Sequence, residues 1–402
     1  MSELATELNG FSRGGADRVF SELPDTQLNT WSEDQGRNAE HYGASYLFTS
    51  YFLDRFGEDL TKAVVASDAN GVDGFTEALS QAGTSLTFDD VFADWLIANY
   101  LDDPNLDDGR YGYVRDDPEQ VALDERFDSY PVPVRTSTVH QYAADYVELA
   151  GEGDVVIEFA GSTLTHLADT QAHSGRFAYW ANRADDSDAR LTRAVDLSDV
   201  QKATLQFWMW YDIEENWDYA YVEISTDQGE TWTLLRGQHT TEENPTGNSF
   251  GPGYTGKSGG GEQAKWVQER IDLSPYAGGA VLLRFEYVTD DAVNLPGLFL
   301  DDIAIPEVGI LDDLEHGGTE WQAEGWIRTD NVLPQRWLVQ LIELTPDGPQ
   351  VRRMALDDQQ RGQLSVEGLG RNHKKAVLVI SALAPVTTEV ASYQYAIKRS
   401  GD

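Results

Sequence analysis

Short segments in which apolar and polar residues alternate dominate the chain from about Asp128 onward, and this pattern constrains the fold more than any other feature. Alternation with a period of two is typical of strands that bury one face. The segments that show it best are 203–213, 218–225, 281–288 and 298–305. Asp227, Gln228 and Gly229 form a hairpin-type turn signal. Because no helical pattern separates these strands, they predict an antiparallel sandwich or jelly roll over residues 121–310.

Further strands are predicted at 336–344, 351–356, 375–383 and 392–398. Residues 311–402 therefore have the size and pattern of a small immunoglobulin-like or fibronectin-like β-sandwich. The Gly-rich segment 244–261 is expected to be a flexible surface loop. Since no helix follows this segment, it does not predict a phosphate-binding loop.

The first 100 residues have a helical pattern instead, and an Asp-, Pro- and Gly-rich segment after Tyr100 ends it. Apolar residues recur at three-to-five-residue spacing between Tyr42 and Phe52, with Asn38 as the expected N-cap and Gly57 as the expected stop. A second helix is predicted from Asp73, and a third begins at Thr87, where Asp90 completes a motif close to a capping box. The predicted fold class is multidomain α plus all-β: a helical part (1–120), a jelly roll (121–310) and a small sandwich (311–402).

Charge and composition exclude several functions. The 402 residues carry a formal net charge of -40, which would repel nucleic acids and anionic membranes. No apolar run approaches the roughly 20 residues that span a bilayer, so no membrane insertion is expected. The first ten residues lack the features of a signal peptide. The absence of cysteine excludes disulfides, zinc-thiolate sites and cysteine nucleophiles within this sequence.

Familiar enzyme motifs are absent from the sequence. It contains no HExxH, no GxSxG, no Walker-type loop and no dinucleotide fingerprint. The 7 His residues are scattered, and none lies three or four positions from another. A helical two-His metal site is therefore excluded within this chain.

Several segments of the helical part resemble the region that follows the zinc site in secreted metallopeptidases of the immune inhibitor A type. They are Ser2-Glu3-Leu4-Ala5, PDTQLNTWSED (24–34), HYGASYLFTSYFLDRFG (41–57) and FADWLIANYLDDP (92–104). The resemblance implies an HExxH helix and a downstream Asn-Glu-Gly that together supply the Zn²⁺ ligands and the general base. It places all of them upstream of Met1, on a catalytic segment that this sequence does not include. Zn²⁺ is thus expected for the family, but no ligands for it can be placed on this chain.

Three residues are candidate remnants of the catalytic cleft by this resemblance. Glu3 is similar to a carboxylate that orients a zinc-binding imidazole, and the alternative is a first-turn Glu favoured by the helix dipole. His41 and Tyr42 could line the cleft and donate hydrogen bonds to a substrate oxyanion. The alternative for these two is a capping or packing role.

The β-rich region carries a more specific resemblance to the same peptidases. Four blocks in the same order are similar to the adhesion-type (MAM-like) jelly roll that follows their catalytic domain, and they lie at 173–198, 207–232, 272–290 and 297–305. The segment KKAVLVISALAPVTTEVASYQYAIK (374–398) resembles their small terminal sandwich. The resemblance covers nearly the whole chain and implies a secreted protein.

Acidic residues at strand ends predict a structural Ca²⁺ site in the jelly roll. Glu214, Glu215 and Asp218 cluster before one strand, and Asp301 and Asp302 lie in the last one. Hard oxygen ligands are what Ca²⁺ binds, six to eight at a time, and the candidate ligands are Glu214, Asp218, Asp301 and Asp302. The alternative is that these carboxylates are solvated or pair with nearby Arg residues.

The tryptophans raise the question of glycan binding, because sugar rings stack on exposed indoles. Trp208 and Trp210 share one face of a strand and are expected in the core. Trp217 falls in a loop, and it is the candidate ligand-binding residue.

Two hypotheses result. The first is the non-catalytic C-terminal part of a secreted immune inhibitor A-like zinc metallopeptidase, inactive as a peptidase on its own, whose family acts on protein substrates. The alternative is an extracellular, calcium-stabilised β-sandwich protein that binds a glycan or another protein.

Overall fold

The structure is a computed structural model that describes residues 1–11, 14–32, 35–69, 71–317 and 320–401, and the backbone alone of Gln35. Glu33 and Asp34, which end the quoted block 24–34, lie outside the described residues. The chain forms two compact units. Met1–Thr165 and Leu333–Asp402 make up the first unit, and His166–Val332 make up the second. The second unit is thus inserted into the sequence of the first.

The α-helices of the described residues all lie in the first unit: α1 (Ser2–Leu8), α2 (Ala16–Glu22), α3 (Ala39–Ala66), α4 (Gly71–Gln81) and α5 (Phe88–Leu101). Short 3-10 helices are Gln35–Arg37 in the first unit and Ser274–Tyr276 and Pro306–Val308 in the second. α3 begins after Asn38, as predicted, and Gly57 interrupts it: the φ of 81° and ψ of 175° at this residue are not helical, so the range consists of two helical segments joined at a kink. The capping box predicted for α5 is confirmed, because Thr87 Oγ1 accepts from Asp90 N–H (3.2 Å) and the Asp90 carboxylate accepts from Thr87 N–H (2.9 Å).

The strands follow the helices along the chain. They are β1 (Glu125–Phe127), β2 (Val132–Val139), β3 (Asp145–Leu149), β4 (Gly153–Gly161), β5 (Leu164–His166), β6 (Ala178–Trp180), β7 (Asp188–Asp196), β8 (Thr204–Asp212), β9 (Tyr219–Ser225), β10 (Thr233–Leu234), β11 (Val267–Asp272), β12 (Ala280–Val288), β13 (Gly297–Ile305), β14 (Ile310–Asp312), β15 (Gln322–Glu324), β16 (Ile327–Thr329), β17 (Val332–Pro334), β18 (Trp337–Thr345), β19 (Gly348–Arg353), β20 (Arg361–Leu369), β21 (Lys375–Ala382) and β22 (Ala391–Arg399). The chain leaves the first unit in β5 and returns to it in β17.

The first unit is a β-sandwich with a helical layer on one side. Its sheets have the orders β1-β3-β21-β18-β19 and β2-β22-β4-β20. Alternate residues of β18 face opposite sides: Leu338 and Ile342 pack in the cluster with the helices, whereas Val339 and Leu341 pack in the cluster between the sheets. The first sheet is therefore buried on both faces, which explains its nearly continuous apolar sequence.

The predicted domain boundaries at 121 and 311 differ from this arrangement. Strands β3 and β4 pair with β20, β21 and β22, so residues 125–161 complete the C-terminal sandwich instead of joining the jelly roll. Conversely, β14, β15 and β16 pair with β13, β7 and β6, so residues 310–329 belong to the second unit. Alternation within one segment predicts a strand but carries no information about a partner that lies far away in the sequence.

The second unit is a two-sheet β-sandwich, as the sequence predicts. Its sheets have the orders β10-β9-β12-β7-β15 and β11-β8-β13-β6-β16. The inward residues of β8, Leu205, Phe207 and Met209, are buried in the core of this unit. The predicted hairpin turn joins β9 to the antiparallel β10, and the Asp227 carboxylate accepts there from Thr231 N–H (2.9 Å).

Trp208 and Trp210 share a face, as predicted, but this face is not the one between the sheets. Trp210 is buried against Phe299, and Trp208 stacks on the His173 ring with the ring centroids 3.8 Å apart. The alternation of β8 places Phe207 and Met209 inward, and the two indoles therefore point to the outer face.

Among the described residues, no helix is both long enough and apolar enough to span a bilayer.

Candidate functional site

Three carboxylates converge at one end of the second unit. One oxygen each of Glu214, Asp218 and Asp290 lies within 4.8 Å of the others. Glu214 and Asp218 lie in the loop that joins β8 to β9, and Asp290 follows β12. Tyr219 at the start of β9 pairs with Val288 at the end of β12, so these two loops meet at the same end of the two strands.

Asp218 is the buried member of this group, only 1% exposed. Its Oδ2 accepts from the Tyr287 hydroxyl (3.0 Å), and its Oδ1 accepts from Asp290 N–H (3.1 Å). Burial, assisted by the charge of Asp290, raises the pKa of Asp218 to about 7, although these hydrogen bonds favour the ionised form. The site therefore holds a carboxyl group that is costly to ionise without a cation.

The surroundings of Asp290 are acidic as well. Burial, followed by the charges of Asp291 and Asp186, raises the pKa of Asp290. Asp186 N–H donates to the Asp290 carbonyl, which draws the two acidic loops together (2.6 Å). Within the described residues, neither Asp218 nor Asp290 forms an ion pair with Lys, Arg or His. A cation would offset this accumulation of like charge.

The donor set fits Ca²⁺. Glu214, Asp218 and Asp290 offer hard carboxylate oxygens, and loop carbonyls and water can complete the six to eight ligands that Ca²⁺ prefers. No imidazole belongs to this group of described residues, so it lacks the nitrogen donors common at catalytic zinc.

The four predicted calcium ligands are divided between two places. Glu214 and Asp218 lie together, but Asp301 and Asp302 contact His173 and Ser174 instead. The Asp302 carboxylate lies 2.6 Å from His173 Nδ1 and accepts from Ser174 Oγ (2.8 Å). Asp301 is fully buried and accepts from Ser174 N–H (3.0 Å), and burial raises its pKa to about 6. These two carboxylates hold the loop before β6.

Asp290 is the residue that sequence reasoning missed. It follows the predicted strand 281–288 directly, and the sequence there reads Asp290-Asp291. Acidic residues at a strand end are the same signal that singled out Glu214 and Asp218. What the sequence does not reveal is that β12 is the neighbour of β9.

Glu3, His41 and Tyr42 lie in the first unit. Glu3 is in the first turn of α1 and half-buried. His41 Nδ1 lies 3.1 Å from the Gln27 carbonyl, and burial lowers the pKa of its imidazole. Trp31 packs on both the His41 ring and the Tyr42 ring, with centroids 6.0 Å and 4.6 Å away. These contacts favour the packing alternative for His41 and Tyr42.

Trp217 lies in the β8–β9 loop, within the span from Glu214 to Asp218, and 42% of it is exposed. The candidate ligand-binding residue is thus adjacent to the carboxylate group. The Gly-rich segment that follows β10 pairs with β9 at one antiparallel bridge, where Tyr254 N–H donates to the Ala220 carbonyl (2.8 Å).

The second unit is thus a two-sheet β-sandwich with three carboxylates converging in loops at one end. Residues 145–331 match the family model described as "Immune inhibitor A-like, MAM domain". The predicted resemblance to immune inhibitor A-like proteins is confirmed. The match covers nearly all of the second unit and extends back through β3 and β4.

Curated relatives match part of the chain. The chain is 32% identical over 157 residues to the pre-pro-metalloprotease PrtV of Vibrio cholerae serotype O1, a match that covers 38% of this chain and 16% of that protein. It is 28% identical over 157 residues to immune inhibitor A of Bacillus thuringiensis subsp. alesti, which covers 38% of this chain and 21% of that protein. Bacillopeptidase F of Bacillus subtilis is 26% identical over 188 residues, 45% of this chain and 12% of that protein. The chain thus spans a small part of the length of these relatives.

Proposed function

We propose that this chain is a non-catalytic, C-terminal portion of a secreted zinc metallopeptidase of the immune inhibitor A type. The observation that carries the proposal is the family match over residues 145–331, with relatives that include a protein named a metalloprotease. The sequence contributes no HExxH motif, and the metal-competent group among the described residues consists of carboxylates alone. The reaction of the whole protein would be hydrolysis of peptide bonds in protein substrates, with Zn²⁺ lowering the pKa of a bound water.

In this proposal, the residues of the chain serve binding and stability. The first unit provides a helical layer buried on a sandwich, and Phe48, Trp95 and Tyr142 belong to the cluster between them. The second unit provides a rigid jelly roll that presents loops to solvent. Neither unit is assigned a bond-breaking role.

A casein-hydrolysis assay with added Zn²⁺ tests the absence of peptidase activity. We expect no cleavage above that of buffer, with thermolysin as the positive control. Hydrolysis by the purified chain that a chelator abolishes would contradict the proposal, provided that the activity co-purifies with the chain. A His41→Ala variant would then show whether the activity involves the candidate cleft residue.

The carboxylate group favours a second, compatible function, in which the second unit is a calcium-stabilised binding module. Ca²⁺ held by Glu214, Asp218 and Asp290 would fix the β8–β9 loop and the loop after β12. Binding to the folded state alone would also stabilise that state by mass action. An increase in the thermal midpoint on adding Ca²⁺, reversed by a chelator, is the expected result; no shift would contradict it.

A further inference from the structure

Two exposed aromatic side chains lie on neighbouring loops of the second unit. Trp217 is 42% exposed and Phe250 is 67% exposed, and they are the exposed large aromatic residues among the described part of this unit. Asn248, two residues before Phe250, donates from Nδ2 to the Trp217 carbonyl (3.3 Å) and so joins the two loops. Large exposed apolar groups that cluster often mark interaction sites.

Hydrogen bonds hold both loops in place. Thr246 Oγ1 donates to the Asn216 carbonyl (2.5 Å), which anchors the loop that carries Trp217. Phe250 N–H donates to the Tyr221 hydroxyl (3.0 Å), and the Phe250 ring stacks on Tyr221 with the centroids 5.7 Å apart. One face of Phe250 is thus supported by the domain. Aromatic groups that are already ordered lose little conformational entropy on binding.

Each of the two loops also carries a glutamate. Glu215 precedes Trp217 by two residues, and the Tyr219 hydroxyl donates to the Glu243 carbonyl (3.1 Å). Both glutamate side chains are exposed, so they are accessible to a partner. Neither Glu215 nor Glu243 forms an ion pair with a Lys, Arg or His of the described chain.

We propose that Trp217, Phe250, Glu215 and Glu243 form a docking surface for a cationic polypeptide segment of a partner protein. Lys and Arg side chains bind the faces of aromatic rings through cation–π contacts, and Arg also stacks on them. The glutamates complement the positive charge, and the net charge of -40 steers such a partner toward the chain. A neutral glycan would use the rings but gain nothing from this charge.

The test uses the full chain at a fixed calcium concentration and a fluorescent peptide of alternating Arg and Gly residues. Fluorescence anisotropy should show saturable binding that weakens as salt is added. Trp217→Ala and Phe250→Ala should each raise Kd about tenfold, the effect typical of an interface anchor. Glu215→Gln and Glu243→Gln should each raise Kd severalfold and reduce its salt dependence.

Matched variants distinguish docking from general attraction. Phe11→Ala removes an exposed aromatic side chain of the first unit, and Glu262→Gln removes an exposed charge of the second; neither should change Kd. An equal effect of Glu262→Gln and Glu215→Gln would overturn the proposal in favour of non-specific electrostatics. No peptide binding would also overturn it. So would binding of a neutral oligosaccharide, lost in Trp217→Ala, in place of the peptide.

Discussion

Each unit buries an aspartate, and the comparison of the two shows different ways to accommodate a carboxyl group. Asp145 in the first unit and Asp218 in the second are 3% and 1% exposed, and each accepts a hydrogen bond from a tyrosine hydroxyl. Burial raises the pKa of Asp145 to about 8 and that of Asp218 to about 7. Considered singly, the two sites look alike.

Their acidic neighbours differ. The charges of Asp124 and Asp25 also raise the pKa of Asp145. Each of these two carboxylates has its own partner: Asp124 accepts from Tyr146 N–H (2.6 Å), and Asp25 lies 3.0 Å from His140 Nδ1. Asp218 instead converges with Glu214 and Asp290. A lone buried carboxyl group is neutralised most simply by a proton, whereas three converging carboxylates suit a divalent cation.

The largest expected effect is on the pH dependence of the first unit. Because the pKa of Asp145 rises from 3.8 to about 8 on folding, the folded state binds its proton more tightly than the unfolded state. Its contribution to stability is therefore present at low pH and is lost as the pH rises from about 4 to about 8. Asn does not titrate, so the free energy of unfolding of Asp145→Asn should not fall in this way. Between these pH limits, the stability of the variant relative to the parent should therefore rise by on the order of a few kcal/mol.

Denaturant unfolding followed by far-UV circular dichroism at several pH values measures this difference. Asp347→Asn, which removes an exposed carboxylate of the same unit, is the control and should follow the parent at every pH. A constant difference between Asp145→Asn and the parent, independent of pH, would contradict the protonated state proposed for Asp145.

The second unit should respond to calcium instead. Saturating Ca²⁺ at a hundred times its Kd stabilises a folded state by about 2.7 kcal/mol. Scanning calorimetry should show a higher thermal midpoint for the parent with Ca²⁺, and Asp218→Asn should abolish most of this increase. The variant itself should fold, because the amide oxygen that replaces the carboxylate can still accept the hydrogen bond from the Tyr287 hydroxyl.

Glu262→Gln serves as the matched control, since it removes one negative charge far from the carboxylate group in sequence and should keep the full calcium response. Should Glu262→Gln lose as much of the response as Asp218→Asn, Ca²⁺ would be screening the net charge of -40 and not occupying the site. The contrast between the two buried aspartates would then fail.

Local patterns in the sequence account for the elements better than for the site. Strands predicted at 203–213 and 281–288 match β8 (Thr204–Asp212) and β12 (Ala280–Val288), because alternation and turn residues are local properties. The composition of the carboxylate group depends on strand order instead. Asp301 in β13 was the sequence candidate, but β13 pairs with β8 in one sheet, while β12 pairs with β9 in the other and brings Asp290 to Asp218. The same limit explains the domain boundaries, since the pairing of β3 with β21 joins residues on either side of the inserted unit.

The smallest expected effect is a difference in stability between variants of the two tyrosines that donate to Asp145 and Asp218. Tyr393→Phe removes the hydroxyl donor to Asp145, and the side chain is buried, so the cost should be about 1–3 kcal/mol of unfolding free energy. Tyr287→Phe should cost only about 0.5–1.5 kcal/mol, because Asp218 still accepts from Asp290 N–H and gains a cation when Ca²⁺ is present. Measured with and without Ca²⁺, the cost of Tyr287→Phe should fall when the ion is added, while that of Tyr393→Phe should stay the same. Equal calcium dependence of the two costs would show that the ion acts on the whole chain and that the aspartates do not differ in this way.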